Sequence, residues 1–164
     1  MTNFTNKLKE AAELIKHSSR TTTFTGAGIS VESGIPPFRG ENGLWSKFDP
    51  VFLDIDLSFL PPRCPYCKTV LKPDFVFFGE PIPEPAKTNS FSEDVNAELF
   101  ILIGTTGEIM PASLIPYEAK KNGKKIIEIN IAPSNYTNTI TDIFLQGEAT
   151  KVVPQLIEAV LRNE

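Results

Sequence analysis

The sequence predicts an α/β protein with a Rossmann-like, mostly parallel sheet and helices on both faces. Three observations predict it. Leu99–Ile103 and Lys125–Ile129 are almost unbroken apolar runs of strand length, the pattern of strands buried on both faces. Helical patterns alternate with these runs, as βα units require. The predicted strands end in small or polar residues, at Gly26, Gly79-Glu80, Gly104-Thr105-Thr106 and Asn130. In parallel sheets, ligands bind at those carboxyl ends.

The elements follow in order. Phe4, Leu8, Ala11, Ala12 and Ile15 share one helical face, which predicts an amphipathic helix over 4–17. His17, the only histidine, falls about 220° around the wheel from Phe4, on the solvent side. Thr21–Thr25 is a β-branched run entering a glycine turn, hence a strand. Residues 30–50 read as loop with short helical pieces, and 51–63 as a short bridge. Phe75–Phe78 reads as a buried strand. Pro81, Pro83 and Pro85 predict an extended loop to about residue 90. Helices are expected over 112–122 and 151–162.

Composition bounds the function. Hydrophobic residues make up 41% and charged residues 22% of 164 positions, which suits one globular domain with a real core. No apolar run approaches the roughly 20 residues of a membrane span, and the N-terminus lacks the apolar stretch of a signal peptide. A cytoplasmic protein without a membrane partner is therefore expected. The net charge of −4 gives no reason to expect nucleic acid. The basic run Lys120–Lys125 reads as a helix C-terminus, with Gly123 suited to the left-handed position after it.

Gly26-Ala27-Gly28 follows a strand, where glycines permit a tight turn and close approach to a pyrophosphate. Ser30 and Ser33 add hydroxyls. Arg39, between Phe38 and Gly40, offers a forked donor suited to phosphate. Taken alone, the short glycine motif favours a ligand-free turn. The neighbouring Phe-Arg loop favours a nucleotide site.

Gly26-Ala27-Gly28-Ile29-Ser30, Ser33-Gly34-Ile35-Pro36, Phe38-Arg39-Gly40, Gly43-Leu44-Trp45 and Asp49-Pro50 together resemble the signature of the sirtuins, NAD-dependent protein deacylases. The resemblance resumes at Cys64-Pro65-Tyr66-Cys67. It continues through Leu71-Lys72-Pro73, Val76, Phe78-Gly79-Glu80 and Ile103-Gly104-Thr105-Thr106, and ends with Asn130, Asp142, Gly147 and Ala149. It implies NAD or ADP-ribose as the nucleotide. Gly26, Ala27 and Gly28 would hold the pyrophosphate. Ile35, Phe38 and Arg39 would cover the nicotinamide ribose. Gly104, Thr105 and Thr106 would meet phosphate and ribose, Asn130 the adenosine ribose and Ala149 the adenine region. Val76, Phe78, Gly79 and Glu80 would line an acyl-lysine peptide groove.

The chain departs from the family pattern in its middle. Only 13 residues, Val51 to Arg63, separate Asp49-Pro50 from Cys64. The family's Thr-Gln-Asn-Ile-Asp stretch and catalytic His-Gly are missing from this stretch. The resemblance therefore implies one domain over 1–164, with the small zinc-bearing helical domain reduced to a vestige at 51–75. General-base catalysis contributes roughly 10²–10⁴-fold, so losing the histidine alone implies a slow enzyme. Losing also the Asn and Asp that in the family recognise the nicotinamide amide and polarise the ribose predicts an NAD- or ADP-ribose-binding protein with little or no deacylase activity. The rival is a deacylase or ADP-ribosyl transferase with unusual machinery, with Glu32, Asp49 or Glu80 recruited as a base. The catalytic residues are not identifiable.

Cys64 and Cys67 are the only cysteines, where the family's structural zinc takes four. A metal-free knuckle, a zinc shared between two protomers and a redox dithiol are the competing readings. The missing strand material would also leave Thr21–Thr25 at a sheet edge, which suggests either a homodimer through that edge or a covering strand from the alternating bridge at 51–60.

Overall fold

The first helix, α1 (Thr2–Lys16), turns Ala11 and Ala12 fully into the core. The structure, a computed structural model, describes residues 2–37, 43, 63–71, 76 and 79–162. After α1 come β1 (Thr21–Thr25), a 3₁₀ turn at Ala27–Ser33, α2 (Ala86–Asn96) and β2 (Leu99–Ile103). The chain ends with α3 (Leu114–Lys121), β3 (Lys125–Asn130), β4 (Ile143–Gln146) and α4 (Ala149–Leu161).

The four strands lie in the order β1-β2-β3-β4, and each neighbouring pair is parallel. The sheet thus advances in one direction. Right-handed crossovers repeated in one direction put every connection on the same face. That face carries α2, α3 and the 131–142 segment, packed through Phe100, Leu102, Ile115, Ala119, Ile126 and Tyr136. The opposite face is left to the elements outside the crossovers. There α1 and α4 pack Ala11, Ala12, Val152 and Leu156 against Leu99, Ile103, Ile127, Ile129 and Leu145.

Among the described residues, β1 pairs only with β2. Its residues Thr21, Thr23 and Thr25 stand exposed, in register with Leu99, Ile101 and Ile103. Threonine suits this position, because its β-branch favours extended backbone while its hydroxyl tolerates water. Phe24 points to the other face and packs there.

Two expectations are corrected. The loop expected through residue 90 gives way to α2, which starts at Ala86. Pro85 precedes its first turn, where a missing N–H costs nothing. The Glu84 carboxylate accepts from the Thr88 amide at 3.1 Å and the Thr88 hydroxyl at 2.7 Å. The sequence reading also lacked β4. This four-residue strand is too short to show a period, and its register is set by Asp142. The Asp142 amide donates to the Ile126 carbonyl, and the Asp142 carboxylate accepts from the Ile126 amide, both at 2.9 Å. Of the strand expected at 75–78 only Val76 is described, in irregular backbone, and most of the vestige expected at 51–75 lies outside the described residues.

The basic run behaves as a helix end. Gly123 has φ 76°, and its amide donates to Lys120 O. Lys120 and Lys125 pair with Asp142, and Lys121 with Glu118. No described helix is long and apolar enough to cross a membrane.

Candidate functional site

The loops after β1, β2 and β3 rest on one another. Gly26 donates its amide to Ile103 O at 3.0 Å, Gly28 to Gly104 O at 2.9 Å, and Gly104 to Ile129 O at 3.1 Å. The glycines are needed for this stacking. A Cβ at Gly26 would lie 2.6 Å from Gly104 O, and one at Gly28 2.7 Å from the same atom. Gly104 has φ +61°, and a Cβ there would lie 2.5 Å from Ile29 N. The close approach that the sequence suggested for a pyrophosphate is therefore already used between the loops. What the stack offers outward is a rim of exposed Ala27 and Thr106 with half-buried Gly28 and Thr105.

Asn130 fastens this rim to β3. Its Nδ2 donates to Thr105 O at 2.8 Å, while its Oδ1 accepts from the Ile131 amide at 2.9 Å. Thr106 O accepts from the Asn135 amide at 3.1 Å. The 3₁₀ turn ends at Gly34, whose φ of 88° is left-handed, and Ile35 follows with 60% exposure. Glu32, in that turn, accepts from the Thr150 amide at 2.9 Å. It thereby ties the turn to the first residues of α4, beside Ala149.

The structure thus brings Gly26, Ala27, Gly28, Gly104, Thr105, Thr106 and Asn130 together, with Ala149 joined through Glu32. Phe38, Arg39 and Phe78 lie outside the described residues, as does Asp49. Val76, Gly79 and Glu80 are in irregular backbone. His17 sits before β1, so the strand's five residues, about 17 Å, separate it from Gly26. Its side chain is 80% exposed, and its Nδ1 lies 2.7 Å from Glu13 O.

Cys64 and Cys67 flank a tight turn. Lys68 donates its amide to Cys64 O at 3.0 Å, and Cys64 donates to Thr69 O at 2.9 Å. Lys68 itself has φ 62°. Hydrogen bonds from the Thr69 hydroxyl and backbone, then from Cys64, lower the Cys67 thiol to about 7. No group of three or more metal-ligating side chains occurs among the described residues. With two cysteines in the whole chain, one protomer does not supply the four thiolates of a closed zinc site.

Sequence reasoning missed the residues behind the rim. Glu128 is fully buried and was read only as part of an apolar strand. Tyr136 packs its ring where a Cβ on Gly107 would fall, 2.7 Å away. A lone acid inside an apolar strand, followed by Ser134, Thr137 and Thr141, was the available signal.

A family model described as the Sir2 family matches residues 26–59 and 55–111, which together cover more than half of the chain. This chain belongs to the Sir2 family. The sirtuin resemblance and the Rossmann-like fold read from the sequence are both borne out. The two matched pieces meet at 55–59, inside the short bridge between Asp49-Pro50 and Cys64. An NAD-dependent protein deacylase of Pyrococcus furiosus is 30% identical over 247 positions, covering 94% of this chain and 98% of that protein. Since this chain has 164 residues, that alignment bridges many positions this Sir2-family chain does not have. A structure described under the mechanism and regulation of Sir2 enzymes superposes with a TM-score of 0.83 at 26% identity, covering 94% of this chain and 98% of that one. A Sir2 homologue mutant in complex with ADP ribose gives a TM-score of 0.83 at 22% identity, covering 94% and 99%. That likeness shows the fold.

Proposed function

We propose that this Sir2-family chain binds NAD or ADP-ribose on the rim formed by the loops after β1, β2 and β3, with little or no turnover of acyl-lysine. The observation that carries this reading is a contrast. The Gly26–Gly28, Gly104–Thr106 and Asn130 segments interlock at one end of the sheet, while the only histidine lies at the other end. The name of the Pyrococcus furiosus relative, an NAD-dependent deacylase, supports the choice of nucleotide. Rim amides and hydroxyls suit pyrophosphate and ribose, and Asn130 suits a ribose hydroxyl. Exposed Ile35, with Phe38 and Arg39 beyond it, would cover the nicotinamide end. Val76, Phe78, Gly79 and Glu80 would take an acyl-lysine peptide. The chain would act as one cytoplasmic domain and pair with a second copy through β1. A zinc, if bound, would be shared between the Cys64–Cys67 pairs of two protomers.

The second reading is a deacylase or ADP-ribosyl transferase with unusual groups, favoured by the relatives' names. Glu32 suits it poorly as a base, because its carboxylate already holds Thr150. Incubation with NAD and an acetyl-lysine peptide separates the two. Nucleotide binding without nicotinamide release supports the binding protein. Turnover abolished by Arg39→Ala establishes the enzyme.

A further inference from the structure

Glu128 stands in the middle of β3 with no exposure to solvent, and three hydroxyls surround it. Ser134 Oγ donates to its Oε1 at 2.6 Å. Thr137 Oγ1 reaches both oxygens at 3.0 and 2.9 Å, and Thr141 Oγ1 donates to Oε2 at 2.7 Å. A carboxylate only accepts, so each hydroxyl must turn its proton inward. Two of them are then left with lone pairs for the backbone. Ser134 Oγ accepts from the Tyr136 amide at 3.1 Å, and Thr137 Oγ1 accepts from the Ser134 amide at 2.8 Å.

These contacts shape a turn that touches the nucleotide rim twice. The Asn135 amide holds Thr106 O at 3.1 Å. The Tyr136 ring lies against Gly107, and its hydroxyl donates to Ser113 O at 3.0 Å. Glu128 shares a face of β3 with Asn130, two residues on, whose Nδ2 holds Thr105 O. The 105–107 loop is therefore gripped from two sides by groups anchored on β3.

We propose that Glu128 is a positioning residue for nucleotide binding: its carboxylate orients Ser134 and Thr137 so that Asn135 and Tyr136 set the Thr105–Gly107 loop. It touches no ligand itself. The inference rests on the nucleotide reading above and adds a residue outside the rim that controls affinity.

The test compares Glu128→Gln, Ser134→Ala and Thr141→Val with the unaltered chain. Urea unfolding gives stability, calorimetry gives ADP-ribose affinity, and hydrogen exchange reads the Asn135 amide without ligand. Gln replaces an acceptor with a donor facing hydroxyls that must donate. Glu128→Gln and Ser134→Ala are expected to weaken ADP-ribose roughly tenfold and to lose protection at Asn135. Thr141→Val removes a donor with no bond to the 134–136 turn, so it is expected to cost stability while affinity and Asn135 protection stay within about twofold. Equal stability losses in all three with affinity and protection unchanged would make Glu128 purely structural and overturn the proposal. If the unaltered chain binds no ADP-ribose, the nucleotide reading fails. Asn135 exchange then still decides whether Glu128 sets the loop: unchanged protection in Glu128→Gln overturns that, and lost protection upholds it.

Discussion

Gly28 and Gly104 meet backbone to backbone. The Gly28 amide donates to the Gly104 carbonyl at 2.9 Å, and a Cβ on Gly28 would lie 2.7 Å from that oxygen and 2.9 Å from the Gly104 Cα. Nothing at this contact is a flexible side chain that could swing aside. The loops after β1 and β2 consequently behave as one unit, and the candidate nucleotide rim is a property of both.

Gly28→Ala should cost about 1–3 kcal/mol through overpacking. Gly104→Ala should cost more, because its φ of +61° adds roughly 1–2 kcal/mol of left-handed strain for an L side chain. Urea midpoints rank the two. By contrast, Gly123 has φ 76° but open space around a new Cβ, so Gly123→Ala should show the strain alone, about 1–2 kcal/mol.

NAD and ADP-ribose should bind with affinities within about threefold of each other, since the Thr-Gln-Asn-Ile-Asp stretch, which the sirtuin resemblance implies would recognise the nicotinamide amide, has no counterpart between Asp49 and Cys64. A threefold ratio is under 1 kcal/mol. Calorimetry with both ligands checks this, and NAD binding tenfold tighter would show a nicotinamide site built from other residues.

Asp142 makes stability acid-sensitive. Burial pushes its carboxyl up, but hydrogen bonds from Lys120, the Ile126 amide and Lys125 outweigh burial and hold it below its ordinary value of 3.8. A carboxyl lowered by folding adds stability that is complete above its unfolded pKa and is lost as pH falls through the folded one. Unfolding midpoints should therefore drop below about pH 4, and Asp142→Asn should flatten part of that drop. At neutral pH, the same substitution should cost about 1 kcal/mol.

Cys67 should alkylate readily near neutrality. With its thiol at about 7 and its side chain exposed, the iodoacetamide rate should reach half its plateau about there. Thr69→Val, which removes the hydrogen bond at 3.2 Å, should move that midpoint upward. A midpoint unchanged by this substitution would mean that Thr69 does not stabilise the thiolate.

Much of the fold was legible in the residues. Leu99–Ile103 read as a doubly buried strand because it has no polar residue to place on an open face, and both faces of β2 are covered. The stripe through Phe4, Leu8 and Ala11 identified α1. Elements decided by distant partners were less legible. β4 takes its start from the Asp142–Ile126 bonds, and α2 begins behind prolines because Glu84 caps it. Of the candidate site, the glycines and Asn130 were legible as motif positions. Glu32 was read as a candidate base, but the Thr150 amide, 118 residues away in sequence, occupies it.

The sequence by itself determined which residues end β1, β2 and β3, and that a tight, glycine-dependent turn follows β1. It also determined that no second histidine exists to act as a base. Only the tertiary structure decided what the glycines are close to. Parallel strands advancing in one direction bring the ends of β1, β2 and β3 side by side, so Gly26 and Gly28 pack on the Gly104 loop. Local sequence specifies that a Cβ must be absent, while the sheet specifies the atom that excludes it.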